Sequence, residues 1–504
     1  MTGTAEQMAG LHTAPRSGPP DGLALTEVLL AVAAFALLCI AVLSAAPQLV
    51  EPDDYAYRAS TVALTDGYPG TLSTAQVSAL AAQLTRSAGP SRAVLTGPGP
   101  LGGSIIQWVE ISPGRWISEK DPGYPFLAAP FQLLGVIRLA PLCYGALGCL
   151  GLFFGARRWL GRYAGTVAVA FFCSSGAALL FAWRDYMPTF TDASLIAAGT
   201  GALLWALLAD EATASRRTWT GLLAFLAIEA AVFARYTNIV VLGCAVVTVL
   251  AVRWRRPASL PPGALAAWLG SAALFAAGVA AFDDLVYGGA LKSGYRPGEI
   301  TFSLGAVLPN FRYMPGHLIQ AMPMLVPGLA GLVWIVARWA ALRRAGSEQA
   351  AVGRRDLAVG LALAASWFSV WALYAGYTWT AGPGLSTLQA ARFYVPAIGA
   401  ISLLATWLVI RASWLAAASP LAHALRRARI PGQAPVAAVM SAAVVAALFG
   451  LGLWSFSDMR AFRLGSPPPL PQCNIGQPHC PVKGPSGPRG ALPGGHRRPK
   501  AQVP

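Results

Sequence analysis

Residues 51–57 read EPDDYAY, and they follow an apolar run that extends from Leu23 to Leu49. The run is long enough to cross a bilayer, which takes about 17–25 residues of helix. Acidic side chains are costly to keep near lipid, so an acid cluster at the mouth of a span usually marks a functional site. This junction predicts a membrane protein whose chemistry begins where its first span ends.

The composition of the whole chain also indicates a membrane protein. Of its 504 residues, 55% are hydrophobic and only 12% are charged, whereas soluble domains carry roughly 25% charged residues. The net charge of +16 comes from arginines that cluster in short loops between apolar runs, as the positive-inside rule requires. The sequence has no basic stripe with interleaved aromatics, so we predict no nucleic-acid partner.

Apolar runs long enough to span a bilayer recur about eleven times, which predicts an all-α polytopic fold with about eleven transmembrane helices. The N-terminal run is too long for a cleavable signal and has no convincing cleavage site, so we expect it to be retained. The runs are 23–46, 136–156, 163–182, 192–210, 219–235, 238–252, 264–282, 318–340, 357–375, 394–412 and 434–455.

Loop charges predict the orientation of these spans. Arginine pairs and triplets near 157, 216, 253, 343 and 426 fall on one side, which is therefore the cytoplasmic side. The other side receives the loops 47–125, 183–191, 283–317 and 376–393. We predict a multi-pass cell-membrane protein with an extracytoplasmic site, in three parts. These are a disordered cytoplasmic tail at 1–22, a transmembrane domain at 23–455, and a Pro/Gly-rich extracytoplasmic tail at 456–504.

The first outer loop, 47–125, is the longest and is predicted to form a small mixed α/β unit. Residues 73–76 read STAQ, which fits a capping box at the start of a short surface helix. Short β-like patterns follow at 91–96, 104–111 and 115–118, separated by Gly and Pro. The apolar residues that lead to Gly135 predict a second interfacial helix.

The polar residues of the outer side suit sugar transfer from a lipid-phosphate donor. Such a reaction needs a carboxylate at the acceptor hydroxyl and cations at the departing phosphate. Asp53 and Asp54 are the candidate catalytic acids, and Arg235, Arg392 and Lys120 are the candidate phosphate ligands. The simpler alternatives are that the acids form a solvated flank and that the arginines are interfacial anchors.

Further outer residues fit supporting roles. Tyr55 and Tyr57, like Tyr377 and Trp379, could stack on sugars or belong to the aromatic belt of the membrane interface. Asp185 and Asp192 bracket a short outer loop, where they could orient the acceptor or bind a divalent cation. Asp192 fits equally well as a helix cap.

Four segments resemble those of the GT-C superfamily of integral-membrane glycosyltransferases, which includes protein O-mannosyltransferases and lipid A aminoarabinose transferases. Residues 51–54 (EPDD) are similar to the His-Pro-Asp-Glu motif of some mannosyltransferases, with both end residues changed, and residues 120–125 (KDPGYP) resemble a Pro-x-Tyr-Pro segment before the second span. Residues 233–238 and 391–396 also resemble late-span features of that group. The resemblance covers about residues 23–455. It implies a polyprenyl-phosphate-sugar donor, an extracytoplasmic glycan, lipid or protein acceptor, and inversion at the anomeric carbon.

Two other classes of protein share part of this pattern. A transporter or flippase of lipid-linked substrates would also have about eleven spans, but it predicts two related halves with broken helices at matching positions, which the sequence does not display. A polysaccharide polymerase or ligase usually places its large outer loop late in the chain. The sequence identifies neither the sugar nor the acceptor.

Overall fold

The computed structural model describes residues 23–44, 52–88, 96–97, 104–105, 107–209, 212–257, 260–295, 300–343, 348–382, 385 and 387–417, with a few helical positions between 446 and 454. The two predicted tails and nearly all of the predicted span at 434–455 lie outside the described residues. The predicted division of the chain into three parts therefore stays a prediction.

Sixteen helices and five short strands make up the regular structure of the described residues. In chain order they are α1 Leu25–Leu43, α2 Pro52–Thr65, β1 Leu72–Ser73, α3 Thr74–Ala88, β2 Thr96–Gly97, β3 Ser104–Ile105, β4 Trp108–Ser112, β5 Arg115–Ser118, α4 Gly123–Leu133, α5 Ala140–Leu160, α6 Ala164–Ser174, α7 Gly176–Ala182, α8 Pro188–Leu208, α9 Ala214–Ala234, α10 Ile239–Arg255, α11 Pro262–Tyr287, α12 Val307–Ala321, α13 Leu325–Leu342, α14 Glu348–Ala375, α15 Thr387–Ala391 and α16 Ile398–Ala417. Short 3₁₀ turns precede α5, α10, α12 and α16.

The structure confirms an all-α polytopic membrane protein. Within the described part of the chain, nine helices are long and apolar enough to cross a membrane, and the pair α6 and α7, bent by 62°, makes ten if it forms one span. The span predicted at 318–340 starts later than expected, because α12 ends at Ala321 and α13 starts at Leu325. Pro323 lies in this break and lacks the amide hydrogen that a continuous helix needs.

The spans differ in how much of their surface the protein covers. The helix Val395–Ser413 is 78% buried and lies at the centre, whereas Pro262–Tyr287 is 6% buried and turns its apolar surface outward. A helix that is apolar all round needs either protein or lipid as its neighbour. The outer helices therefore depend on the bilayer for much of their burial.

Ion pairs identify the two ends of the bundle. Glu27, at the start of α1, pairs with Arg157 near the end of α5 at 3.2 Å. Asp53, after α1, pairs with Arg392, which precedes α16. We call the first the arginine-rich end and the second the Asp53 end. Successive spans run between these two ends in alternation.

The long first loop folds into a small α/β unit, as predicted, and this unit has a hydrophobic core of its own that the sequence did not indicate. Strands β1, β5 and β4 form an antiparallel sheet in that order, with Leu72 opposite Trp116. The predicted capping box starts α3, since the Ser73 amide donates to Gln76 Oε1 at 2.7 Å and the Gln76 amide donates to Ser73 Oγ at 3.3 Å. The helix α4 is the second short helix that the sequence predicts.

Candidate functional site

The candidate site is centred on the carboxylate of Asp53. Lys120 Nζ lies 3.1 Å from Asp53 Oδ1, and Arg392 Nη1 lies 2.8 Å from Oδ2. Gln107 Nε2 donates a further hydrogen bond to Oδ1 at 2.9 Å. The structure thus brings together Asp53, Lys120 and Arg392, three residues that the sequence singled out, although they are up to 339 positions apart.

Helix α2 fixes the position of Asp53. Pro52 occupies the first helical position, where a missing amide hydrogen costs nothing, and acids in the first turn are stabilised by the helix dipole. Tyr55, Ala59 and Val62 recur at helical spacing and are buried in the core of the first loop. Because this face of α2 is anchored in the core, the Asp53 side chain is held at the centre of the site, where it is 16% exposed.

The cations control the protonation of Asp53. Burial by itself raises the pKa of Asp53, but the charges of Lys120 and Arg392 and the hydrogen bond from Gln107 outweigh burial. The pKa of Asp53 therefore lies well below its usual range, and the carboxylate is ionised throughout the physiological pH range. Burial also opposes the charge of Lys120, yet Asp53 raises the pKa of Lys120 well above its usual value.

Two glycines permit the close approach that places Lys120. A Cβ atom on Gly294 would lie 2.4 Å from Glu119 Cα, and one on Gly123 would lie 2.2 Å from the carbonyl carbon of Phe233. Any side chain at either position would push the Lys120 loop away from its neighbours. Lys120 Nζ also donates to the hydroxyl of Tyr295 at 3.2 Å and lies 3.3 Å from Glu119 Oε1.

Arg235, predicted to bind phosphate, is instead engaged with the protein on all three nitrogens. Its Nε lies 3.0 Å from Asp192 Oδ2, its Nη2 donates to Thr189 Oγ1 at 2.8 Å, and its Nη1 donates to the carbonyl of Arg392 at 3.0 Å. Arg235 thus positions the backbone of Arg392. Binding of the donor phosphate by Arg235 stays a prediction, and the contacts show that Arg235 also positions Arg392.

Asp54, the other candidate acid, points away from this centre. Its two oxygens pair with Arg184, at 3.1 Å from Nε and 2.7 Å from Nη2. The Asp54 and Arg184 side chains are 1% and 0% exposed. A bidentate pair with no solvent contact is typical of a structural clamp, so the geometry favours Asp53 over Asp54 as the reactive acid.

The candidate acceptor or metal residues have separate surroundings. Asp192 pairs with Arg235 and also accepts a hydrogen bond from Asn238 Nδ2 at 3.2 Å. Asp185 is buried, and burial raises its pKa to about 7, partly offset by Arg138 and reinforced by Asp54. Among the described residues, no three His, Cys, Asp or Glu side chains lie close enough together to hold a metal ion. The prediction of a divalent cation therefore gains no support from them.

The predicted sugar-stacking tyrosines are both buried. Tyr55 is 6% exposed within the core of the first loop, and Tyr57 is 4% exposed with its ring edge-on to Tyr124 at 5.7 Å between centroids. Both positions suit packing better than contact with a sugar. Stacking by Tyr55 and Tyr57 remains a prediction without a supporting contact.

Sequence reasoning missed four residues that surround the centre: Gln107, Glu119, Asp121 and Tyr295. Burial raises the pKa of Asp121 to about 7, although Arg235 and Lys120 oppose the rise. Asp121 lies inside the quoted segment 120–125 but was given no role there, and Glu119 is marked only by its position next to Lys120. Gln107 and Tyr295 carry no local signal, because only the folded loops bring them to Asp53.

No model of a known protein family matches the chain, and no curated protein matches it. Solved structures with a similar fold include the apo oligosaccharyltransferase of Archaeoglobus fulgidus, at 13% identity and a TM-score of 0.46 over 89% of this chain. The chain covers 60% of that protein.

Another similar structure is apo ArnT from Cupriavidus metallidurans, at 16% identity and a TM-score of 0.47, covering 87% of this chain and 76% of that chain. The same ArnT bound to undecaprenyl phosphate gives a TM-score of 0.43, at 16% identity over 88% of this chain and 75% of that chain. TM-scores below 0.5 do not establish the family, so the proposed activity rests on the site residues.

Proposed function

We propose that the chain is a membrane glycosyltransferase of GT-C type, which moves a sugar from a polyprenyl-phosphate donor to an extracytoplasmic acceptor. One observation carries this proposal: an ionised acid, Asp53, is held between Lys120 and Arg392 at the end of a multi-pass helical bundle. The opposite end carries the arginine-rich loops, and the positive-inside rule assigns that end to the cytoplasm.

The donor phosphate would lie against Lys120 and Arg392. Both are cations at the end of the spans, where a lipid headgroup presents its phosphate, and a guanidinium can bind two phosphate oxygens at once. Asp53 keeps Lys120 charged and holds both cations in place before the donor binds. Neutralising the departing phosphate in a site shielded from water lowers the barrier to its departure.

The reaction is a single displacement. The acceptor oxygen forms a bond to the anomeric carbon, the bond from that carbon to the phosphate oxygen breaks, and the electron pair stays with the phosphate. A displacement of this kind inverts the anomeric carbon. Asp53 is placed to orient the acceptor hydroxyl, since it can accept a hydrogen bond at any physiological pH.

A carboxylate must also take up the proton of the acceptor hydroxyl. A base works best when its pKa lies near the working pH. Asp53 is a weak base because its pKa is held low, whereas Asp121, next to Lys120, has a pKa raised to about 7. Asp121 directly follows Lys120, and its carboxylate interacts with Lys120 and Arg235 beside the Asp53 centre. We therefore propose that Asp121 takes up the proton and that Asp53 orients the acceptor.

The test is transfer from polyprenyl-phosphate sugars by the full-length protein in membranes. A panel of undecaprenyl-phosphate donors carrying radiolabelled mannose, glucose, arabinose or aminoarabinose would be offered with cell-envelope extract as acceptor. We expect label to move from one donor, and Asp53→Asn to abolish this. Full activity in Asp53→Asn, or no transfer from any donor, contradicts the proposal.

A transporter or flippase is the second candidate, and the bent pair α6 and α7 favours it. Transporters use broken helices at their binding sites, and the break at Ser175 bends the chain by 62°. Flipping of a fluorescent polyprenyl phosphate across proteoliposomes separates the two candidates. Flipping that survives Asp53→Asn, without any transfer, would support transport.

A further inference from the structure

A cluster of aromatic rings lies beside the Asp53 centre. Its ring-centroid distances are 5.3 Å for Phe302–Tyr377, 6.4 Å for Tyr377–Trp379, 5.7 Å for Trp379–Phe393 and 5.1 Å for Tyr377–Phe393. Phe302 is 45% exposed, and the rings of Tyr377, Trp379 and Phe393 are half-buried. We call these four residues the aromatic platform. Tyr377 and Phe393 pack with one side against the main core, and Phe302 leaves the largest exposed part of the platform.

Arg392 joins the platform to the Asp53 centre. Its guanidinium lies 5.0 Å from the ring centroid of Trp379 and 4.7 Å from that of Phe393, within range of a cation–π interaction. The same guanidinium lies 2.8 Å from Asp53 Oδ2. A group resting on the platform would therefore lie one side chain away from the carboxylate.

The platform is held in place by a network of backbone hydrogen bonds. The Ser303 amide donates to the Gly376 carbonyl at 2.7 Å, and the Thr378 amide donates to the Thr301 carbonyl at 3.1 Å. Asn310 Nδ2 donates to the Tyr377 carbonyl at 3.0 Å and to the Ala375 carbonyl at 2.7 Å. A surface that is ordered before binding loses less entropy when a ligand arrives.

The surroundings favour a sugar over a lipid tail. Tyr377 and Trp379 follow the end of α14 at Ala375, so they extend beyond the hydrocarbon-spanning part of the helix. Thr301 and Thr378 are the chain neighbours of Phe302, Tyr377 and Trp379, and their hydroxyls lie 2.5 Å from each other in side chains that are exposed or half-buried. Aromatic surface with a few polar groups at its rim suits a ring that has apolar faces and a hydroxylated edge. An isoprenoid chain is a hydrocarbon and cannot form hydrogen bonds with this polar rim.

We propose that the aromatic platform binds a saccharide unit of the acceptor, which makes the acceptor a glycan. This deepens the proposed function and rests on it. The rings would receive the sugar next to the one that reacts, and the attacking hydroxyl would then extend past Arg392 toward Asp53. The platform would thus set acceptor affinity without taking part in the displacement.

The test measures glycan binding without donor. Linear tetrasaccharides of mannose, arabinose, glucose and N-acetylglucosamine would be titrated into the full-length protein in nanodiscs, with saturation-transfer difference NMR as the readout. We expect one of them to bind, Trp379→Ala to weaken it about 10-fold, as expected for loss of an aromatic contact, and Trp379→Phe to retain most of the affinity. Trp254→Ala is the matched control, because Trp254 is 87% exposed near the arginine-rich end.

Three results would overturn the proposal. They are that no tetrasaccharide binds, that Trp379→Ala binds as the wild type does, and that Trp379→Ala weakens undecaprenyl phosphate instead of the glycan. Tyr377→Ala is a second variant in case Trp379→Ala fails to fold, as judged by size-exclusion chromatography. Binding is measured without transfer, so a negative transfer assay would reject the enzyme while leaving the platform standing as a glycan site.

Discussion

Two acids, one at each end of the bundle, hold two cations each. At the arginine-rich end, Asp356 Oδ2 lies 3.0 Å from Arg338 Nη1 and 2.9 Å from Arg411 Nη2. At the other end, Asp53 holds Lys120 and Arg392 at similar distances. The two centres differ in the kind of structural element that holds their side chains.

The Asp356 centre is built on the bodies of long helices. Trp159 of α5 donates to Asp356 Oδ1 at 3.1 Å, and the arginines belong to α13 and α16. At the Asp53 end, Gln107, Lys120 and Arg392 all lie on connecting segments between helices. Loops on a rigid scaffold are where binding residues usually occur. We therefore expect the Asp356 centre to stabilise helix packing and the Asp53 centre to bind a ligand.

The largest expected effect comes from neutralising each acid in turn. Asp53→Asn should lower the rate of sugar transfer by about 10³-fold or more, because it misplaces the acceptor hydroxyl and also releases the two cations that stabilise the departing phosphate. Asp356→Asn should lower thermal stability and leave the rate per folded molecule nearly unchanged. Initial transfer rates, normalised to the monodisperse fraction in detergent, are measured for both variants, and thermal unfolding measures their stability. Equal losses of rate in the two variants would remove the distinction between the centres.

Removing a cation at each end should show the same difference between the two centres, with a smaller effect on the transfer rate. Lys120→Met should slow transfer by about 10²–10³-fold, because one charge at the departing phosphate is lost, and it should weaken binding of undecaprenyl phosphate. Arg338→Met is the matched control at the other end. Microscale thermophoresis with labelled undecaprenyl phosphate gives the affinities. Unchanged lipid affinity in Lys120→Met would remove this residue from the donor site.

The sequence predicted the helices well, because a span is a local property of about 20 residues. Ten of the eleven predicted runs correspond to spans or to the bent pair in the described residues. Residue patterns also indicated the capping box at 73–76 and strands within 104–111 and 115–118, whereas most of the predicted strand at 91–96 lies outside the described residues. The break before Leu325 was missed, although Pro323 marks it in the sequence.

The site was predicted less completely, since its contacts join distant segments. The sequence named Asp53, Lys120 and Arg392 but could not separate Asp53 from Asp54, two neighbours on one helix turn. Their different partners, Lys120 with Arg392 for one and Arg184 for the other, depend on loops 54 to 339 residues away. Arg235 carried the same charge signal as Arg392, and the sequence could not show its contacts with Asp192, Thr189 and the Arg392 carbonyl.

The buried pair of Asp54 and Arg184 should behave like the Asp356 centre, although it lies beside Asp53. Arg184→Met leaves the Asp54 carboxylate buried without its partner, which should cost about 3–5 kcal/mol of stability. Replacing both, as Asp54→Leu with Arg184→Met, should recover much of this loss, since an apolar pair needs no desolvation. Chemical unfolding in detergent measures the stabilities.

The double variant also decides the role of Asp54. We expect it to transfer sugar at a rate per folded molecule similar to that of the wild type. A stable double variant that has lost transfer would place Asp54 in the reaction and would overturn its assignment as a structural residue.

The smallest expected effect is the pH dependence, which separates Asp121 from Asp53. The ionised fraction of a carboxyl with a pKa of about 7 rises about tenfold between pH 6 and pH 8, so transfer should rise by a similar factor. Asp53 is ionised across this range and contributes no slope. The charged and titratable groups around Asp121 are Tyr57, Lys120, Arg235, Tyr236, Asp283, Tyr287, Tyr295 and Tyr374.

Asp121→Asn should flatten the pH profile as well as slow transfer, and Asp121→Glu should restore a slope with a shifted midpoint.

The pH dependence of protein stability gives an independent measurement of the Asp121 pKa. A carboxyl whose pKa is raised on folding binds its proton more tightly in the folded state, so its contribution to stability is present below about pH 4 and is lost as the pH rises toward 7. Asp121→Asn should remove this loss from unfolding curves measured between pH 4 and pH 7. A wild-type profile that keeps its slope in Asp121→Asn would assign the titration to another group and return proton uptake to Asp53.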